Sequence, residues 1–234
     1  MSTGEVRHIE VRRTARYHLL GPCGSGDGGE DETEPQEVWF VLHGYRQLAG
    51  RFLRRFRSLD DGTRLIVAPE ALSRFYVEKE VKRHGPESLV GASWMTRWDR
   101  EAEIDDYVAY LNRLADRIFA EVGREGVRTT LLGFSQGVTT AARWAVLGRW
   151  PPDRLVTWGD TLPPDLPDDP AARRLAGIPV ELVRGRRDPS RREEAEEDEE
   201  ERLSRWDVPY RVHRHDGGHE IDPPTLKRIC STST

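Results

Sequence analysis

The chain has 234 residues, 36% of them hydrophobic and 33% charged, enough for one domain with a substantial core. Its formal net charge of −5, with no basic stripe, argues against nucleic acid as a partner, because phosphate recognition needs clustered Lys and Arg. No stretch approaches the ~20 apolar residues of a membrane-spanning helix, and Glu5, Arg7, Glu10, Arg12 and Arg13 stand where a secretory signal would need an apolar core, so the expected location is cytoplasmic.

Residues 6–11 and 15–20 are two short β-like runs and predict an N-terminal antiparallel hairpin or edge pair. Residues 21–36, glycine-rich and acidic, read as a mobile surface loop. The run VWFVL at 38–42 is continuously apolar, which marks a strand buried on both faces. The same character returns at 65–68, 127–132, 155–158, 180–183 and 210–212. Between the first two strands, the arginines from Arg51 to Arg57 fit the wet face of an amphipathic helix. Residues 73–98 are the candidate cap or rim, too polar at Glu78, Lys79, Glu80, Lys82 and Arg83 to be a greasy lipase lid. Over 101–122, Ile104, Tyr107, Val108, Leu111, Leu114, Ala115, Ile118 and Val122 form one helical stripe, with Asp99 placed to cap it and Glu101 and Glu103 at its positive end. Residues 136–147 predict a further helix, stopped at Gly148. The charge run at 191–202, acidic over 193–201, reads as a solvated helix anchored by Leu203 and Trp206. Alternating helices and fully apolar strands define an α/β fold: a mostly parallel central sheet flanked by helices, in a single domain spanning 1–234.

The chemistry concentrates at Gly133-Phe134-Ser135-Gln136-Gly137, a G-x-S-x-G pattern between a strand and a helix. A serine on such a tight turn is exposed and strained, and needs a base to become a nucleophile. The base should be a histidine held by a carboxylate, each just after a strand, in the order Ser, Asp, His. Asp188 follows the strand at 180–183 and Gly185, and His219 follows the last strand and Asp216-Gly217-Gly218. Asp160, one strand earlier, is the rival acid. His213 and His215 alternate along the last strand, so one of them is expected to face solvent. Together with His219 they could be read as metal ligands, but neither a matching acidic partner nor a metal-ligand spacing around Cys23 or Cys230 is found, and no metal or cofactor is expected. His43-Gly44-Tyr45 ends the VWFVL strand, where backbone N–H groups of Tyr45 and of Gln136 could form an oxyanion hole.

These residues resemble the α/β-hydrolase fold, and within it the phospholipase/carboxylesterase family that includes acyl-protein thioesterase-like enzymes. The resemblance rests on Leu42-His43-Gly44, Ala68-Pro69, Ser93-Trp94, the Ser135 motif, Gly159 with Leu162-Pro163, Gly185-Arg186-Arg187-Asp188 and Gly218-His219-Glu220-Ile221. It implies Ser135 as nucleophile, Asp188 as acid, His219 as base, and Tyr45 and Gln136 as oxyanion donors. It departs where the family's H-G-x-G-D reads His43-Gly44-Tyr45-Arg46-Gln47, and where Pro189-Ser190 and charges replace apolar residues after Asp188. The expected activity is that of a serine carboxylesterase acting on a small to medium ester through an acyl-enzyme, with thioesters and lysophospholipids as further candidates. Tyr45, Arg46, Trp94, Met95, Phe134 and Leu162, with Pro163, are expected to line the acyl site, Arg46 narrowing or recharging it. The alternative is a non-catalytic scaffold of the same fold that binds a small ligand or a protein. Composition sets no oligomeric state.

Overall fold

The computed structural model describes residues 4–23, 34–78 and 83–231. Most of the acidic loop expected at 21–36, and Lys79–Lys82 of the expected cap, lie outside these residues. A seven-stranded sheet runs in the order β1-β3-β2-β6-β7-β8-β9. Its strands are β1 (Tyr17–Leu20), β2 (Glu37–Leu42), β3 (Arg64–Pro69), β6 (Arg128–Phe134), β7 (Arg154–Trp158), β8 (Val180–Gly185) and β9 (Tyr210–His215). All neighbours pair in parallel except β1, which lies antiparallel to β3 at one edge. The expected hairpin is therefore not formed: residues 6–11 make no strand, and Tyr17–Leu20 finds its partner far along the chain. Alternation alone cannot say which neighbour a short run pairs with, and an edge of an existing sheet offers a ready row of unpaired backbone groups. A second, two-stranded antiparallel sheet joins β4 (Ser73–Tyr76) and β5 (Val90–Ser93) within the segment expected as a cap.

The apolar strands are buried on both faces because each face meets helices. Val38, Phe40 and Leu42 of β2 belong to one core and Trp39 and Val41 to the other, the period-two split of an extended chain. On the first face lie α2 (Arg100–Val122), α3 (Gln136–Leu147), α4 (Asp168–Leu175) and α5 (Glu193–Arg205). On the second lie α1 (Ala49–Leu53) with the 3₁₀ turn Arg54–Leu59, and α6 (Pro223–Ser231). The arginines at 51, 54, 55 and 57 are exposed while Phe52, Leu53, Phe56 and Leu59 are buried, as an amphipathic segment requires. The α2 stripe is buried as expected except that Val108 is only half-buried, and Phe119 is added to it. Asp99 does not cap α2 with its side chain: its backbone is left-handed (φ 47°), and its carboxylate lies 3.1 Å from His8 Nε2. No helix among the described residues is long and apolar enough to cross a membrane.

The sheet positions the site through one close approach. Leu42 at the end of β2 pairs with Gly133 near the end of β6, so the chain leaving β2 passes against the start of α3. A Cβ on Gly137 would stand 2.3 Å from the Leu42 carbonyl oxygen, and one on Gly133 2.3 Å from the Gly137 carbonyl oxygen. Both neighbours are backbone, which cannot swing aside. Gly137→Ala is accordingly expected to lower stability by about 1–3 kcal/mol, the range for overpacking, measured by urea denaturation. Unchanged stability would mean that β2 and α3 are not held this tightly.

Candidate active site

Ser135 sits between β6 and α3 with φ 53° and ψ −125°. A positive φ costs a non-glycine residue of order 1–3 kcal/mol and persists only where the surroundings enforce it. Here they do, since Ser135 N–H donates to the Trp158 carbonyl at the end of β7 (2.8 Å) and Val138 N–H donates back to the Ser135 carbonyl (2.8 Å). The turn thus presents the hydroxyl at the carboxyl ends of the strands, where open α/β sheets gather their functional groups. Ser135 Oγ makes no hydrogen bond to another described residue.

His219 follows β9 and comes to rest over the same strand ends. Its ring centroid is 4.9 Å from that of Phe134, and a Cβ on Gly159 would lie 3.2 Å from its Cε1. His219 Nδ1 is 2.6 Å from Asp188 Oδ2. Burial pushes the Asp188 carboxyl up, yet hydrogen bonds from Ser190 and from His219 outweigh it and hold the group below the ordinary carboxylate range. The rival Asp160 turns elsewhere: its Oδ1 accepts the Thr161 N–H (2.9 Å) and lies 4.0 Å from Arg192, and burial raises its carboxyl. Of the two acids, Asp188 is the one joined to the imidazole.

His43-Gly44-Tyr45 leaves β2 beside Ser135, whose Cβ would be 3.1 Å from a Cβ on Gly44. The N–H groups of Tyr45 and Gln136, the two expected oxyanion donors, donate to no other described residue. The loop is pinned from several sides. Gly44 N–H donates to Gln47 Oε1 (2.9 Å), Arg46 N–H to the Ala92 carbonyl (2.9 Å), and Trp94 Nε1 to the His43 carbonyl (2.8 Å). His43 Nδ1 lies 2.8 Å from the Gly44 carbonyl, while Nε2 accepts the Ala71 N–H (3.1 Å). Burial lowers its pKa against the opposing pull of the Gly44 carbonyl and Glu70, so His43 is a neutral strut of the loop. The Gln136 side chain ties the start of α3 to the end of β5, accepting Trp94 N–H (3.1 Å) and donating to the Met95 carbonyl (2.9 Å).

Comparison with protein-family models returns no match, and neither does comparison with curated proteins. Solved structures do match. A carboxylesterase from Mesorhizobium loti is similar with a TM-score of 0.66 at 19% identity, over 93% of this chain and 95% of that one. Acyl-protein thioesterase 2 of Zea mays is similar with a TM-score of 0.65 at 17% identity, over 93% and 97%. A phospholipase/carboxylesterase from Dyadobacter fermentans gives 0.61 at 16% identity, over 96% and 99%. The chain has the α/β-hydrolase fold.

Within this hydrolase fold the residues expected to line an acyl site are divided. Trp94, Phe134 and Leu162 are only 3%, 3% and 2% exposed, and they pack in the two cores beneath the site instead of standing open to it. Met95 is half-buried, with Sδ 3.5 Å from Arg143 Nη1. Tyr45 is 53% exposed and stacks on Phe75 of β4 at 5.4 Å. Arg46 is exposed, with φ 65°. The left-handed backbone there is the conformation glycine adopts most readily, so the departure from the family's glycine is met as backbone strain. The cleft that does open beside Asp188 is polar: it holds about 30 Å³ and is lined by Asp160, Thr161, Ser190, Arg192 and Glu196 among others. None of the expected acyl-site residues lines it.

Two further sequence expectations change. His213 and His215 are both buried; two residues apart on a strand, they share one face. His213 Nε2 lies 2.5 Å from Glu181 Oε2, and no group of three or more His, Cys, Asp or Glu that could hold a metal occurs among the described residues. The acidic run is the helix α5, anchored by buried Leu203 and Trp206 as expected, but it is not simply solvated. Glu196 and Glu199 are buried on the Leu203 stripe and meet Arg184 of β8 at 3.3 and 3.0 Å, with Glu200 at 2.5 Å. Glu199 also accepts the Leu162 N–H (2.7 Å), tying the loop after β7 to the end of β8.

Burial pushes the Glu199 carboxyl up to about 7, against the opposing pull of Leu162 N–H and Arg184. A pKa raised on folding contributes stability that is full below about 4.5 and is lost as pH rises through about 7. Wild type is therefore expected to lose stability relative to Glu199→Gln between about pH 5 and about pH 8, read from paired urea titrations. A stability difference that does not change with pH would mean that Glu199 ionises normally.

Proposed function

We propose that the protein is a serine carboxylesterase in which Ser135 attacks the ester carbonyl, His219 takes its proton and Asp188 orients His219. What supports this reading most is that the strained Ser135 turn, at the end of β6, and the hydrogen-bonded Asp188–His219 pair, on the loops after β8 and β9, stand at the same carboxyl edge of the sheet. The structures it resembles, among them a carboxylesterase and an acyl-protein thioesterase, support the same reaction class. Nδ1 faces the carboxylate, so Nε2 is the nitrogen left to act as base. Ser135 Oγ has no competing partner among the described residues, and the Ser–His hydrogen bond closes as the Michaelis complex forms, as catalytic bonds that are long in a free enzyme often do.

Attack yields a tetrahedral intermediate whose oxyanion lies between the N–H groups of Tyr45 and Gln136. Each such donor is worth about 3–4 kcal/mol in the transition state. His219 then passes its proton to the leaving alcohol. Water, activated by the same histidine, hydrolyses the acyl-Ser135 ester and restores the hydroxyl. No step calls for a metal or cofactor. The β4–β5 arm forms the rim, with Tyr45 and Phe75 as its apolar shelf.

A fluorophosphonate probe is expected to label a single residue and abolish esterase activity, and Ser135→Ala to lower kcat by about 10⁶. Labelling that persists in Ser135→Ala would overturn the assignment. Asp188→Asn is expected to cost about 10⁴ in kcat through the wrong imidazole tautomer, and Asp160→Asn far less; the reverse ranking would transfer the acid to the loop after β7.

Substrate size follows from the surroundings. The polar cleft beside Asp188 is far smaller than the several hundred Å³ in which bulky ligands are buried, and Trp94, Phe134 and Leu162 are closed into the cores. Each methylene that gains an apolar contact adds about 0.8 kcal/mol, and one that stays in water adds nothing. Across p-nitrophenyl esters, kcat/KM is expected to peak between acetyl and hexanoyl and to fall beyond. A wild-type preference for palmitoyl over butyryl would show that a long acyl site opens on binding.

A further inference from the structure

We propose that Ser190 is a positioning residue that locks the Asp188 carboxylate, and through it the His219 imidazole, in its working orientation. The catalytic consequence rests on the serine-hydrolase reading above; the geometry does not. Asp188 Oδ2 faces His219 Nδ1 at 2.6 Å. Its other oxygen, Oδ1, accepts two hydrogen bonds from Ser190, one from the backbone N–H at 2.8 Å and one from the hydroxyl at 2.6 Å. A carboxylate held at one oxygen can pivot about its soft terminal torsion. Held at both, it keeps Oδ2 aimed at the ring.

The hydroxyl also lies 3.1 Å from His219 Nδ1. Ser190 has one hydroxyl proton, and Oδ1 receives it. What faces Nδ1 is therefore a lone pair, and the ring N–H is shared between Asp188 Oδ2 and Ser190 Oγ. Both acceptors favour the tautomer with the proton on Nδ1, which leaves Nε2 unprotonated for Ser135. As the imidazolium forms during attack, the same two oxygens face its growing charge.

Ser190 reaches this place through a local turn. Asp188 N–H donates to the Gly185 carbonyl (3.2 Å) and Arg191 N–H to the Asp188 carbonyl (3.3 Å), with the φ of Pro189 fixed by its ring between them. Ser190 itself is exposed and contributes to neither core, so removing its hydroxyl tests orientation and not folding. Pro189-Ser190 is also where this chain departs from the apolar continuation that its resemblance leads one to expect, and an apolar side chain there has no hydrogen to give Oδ1.

The test compares wild type, Ser190→Ala and Ser190→Thr in two ways: pH profiles of kcat/KM on p-nitrophenyl acetate, and titration of His219 by NMR in protein carrying ¹⁵N-histidine. Ser190→Ala is expected to lower kcat/KM about 10-fold, the loss of one charge-assisted hydrogen bond, and to act on kcat more than on KM. It should move the acidic limb of the profile to higher pH, because freeing the carboxylate of a 2.6 Å donor concentrates its charge on the imidazolium by more than the loss of the longer 3.1 Å contact to Ser190 Oγ takes away. The NMR titration of His219 should shift in the same direction, and Ser190→Thr, which keeps the hydroxyl, should restore both. An alanine variant with the wild-type profile and the wild-type His219 titration overturns the proposal. The NMR arm needs no turnover, so a wild-type protein that hydrolyses no ester would count against the hydrolase reading while the titration still decides the role of Ser190.

Discussion

The absence of a side chain at Gly137 is the constraint on which the site depends. The carbonyl oxygen of Leu42 occupies the space a Cβ would need, so the first turn of α3 lies directly against the chain leaving β2. Beside it the turn between β6 and α3 is the single residue Ser135, which takes a positive φ, and the Gly44-Tyr45 backbone lies alongside the serine. The strain at Ser135 is held there by parallel pairing on both sides of β6, to β2 and to β7. Ser135 and the N–H groups of Tyr45 and Gln136 are thus positioned by backbone packing, which is stiffer than any arrangement of side chains.

Asp188 and His219 stand on loops after β8 and β9, and a different, polar kind of force holds the Asp188 loop. Arg184, at the end of β8, is buried against Glu196 and Glu199 of α5; Glu199 in turn holds the Leu162 N–H of the loop that carries Asp160. Arg191, close to Asp188 in the same turn, makes a bidentate pair with Glu196 at 2.7 and 3.0 Å. Breaking a buried pair such as Arg184–Glu196 by removing one partner leaves a charge without compensation and typically costs about 3–5 kcal/mol. The acidic helix therefore behaves as a clamp on the Asp188 loop, with Glu196 and Glu199 turned inward and the remainder of its charge toward solvent.

The apolar side chains nearest the serine serve the scaffold. Trp94 holds the His43-Gly44-Tyr45 loop by donating to the His43 carbonyl, Phe134 supports the His219 ring, and Leu162 is packed in the core that contains α2 and α3. The surface left open nearby includes Tyr45 stacked on Phe75 and a polar cleft beside Asp188, and the small-ester reading proposed above rests on that surface.

The sequence by itself determined the apolar strands of the central sheet, most of the helices and the place of the Ser135 turn between a strand and a helix, because each of these is a local signal. Continuous apolar runs mark strands covered on both faces, the 3.6-residue stripe marks α2, and G-x-S-x-G between a strand and a helix marks the elbow whatever the rest of the chain does. That Ser135, Asp188 and His219 each lie shortly after a strand was legible for the same reason. Only the tertiary structure decided which partner each group takes. That Tyr17–Leu20 pairs with β3, that Asp188 and not Asp160 meets His219, that Glu199 faces inward, and that Trp94 and Leu162 are closed off all depend on distances between residues far apart in the chain. A charge run looks the same whether its arginine partner lies across the sheet or is absent, and an aromatic near a motif looks the same whether it lines a pocket or fills a core. Ser190 falls between the two cases: it lies two residues from the acid, but its role appears only once Asp188 and His219 have been brought together.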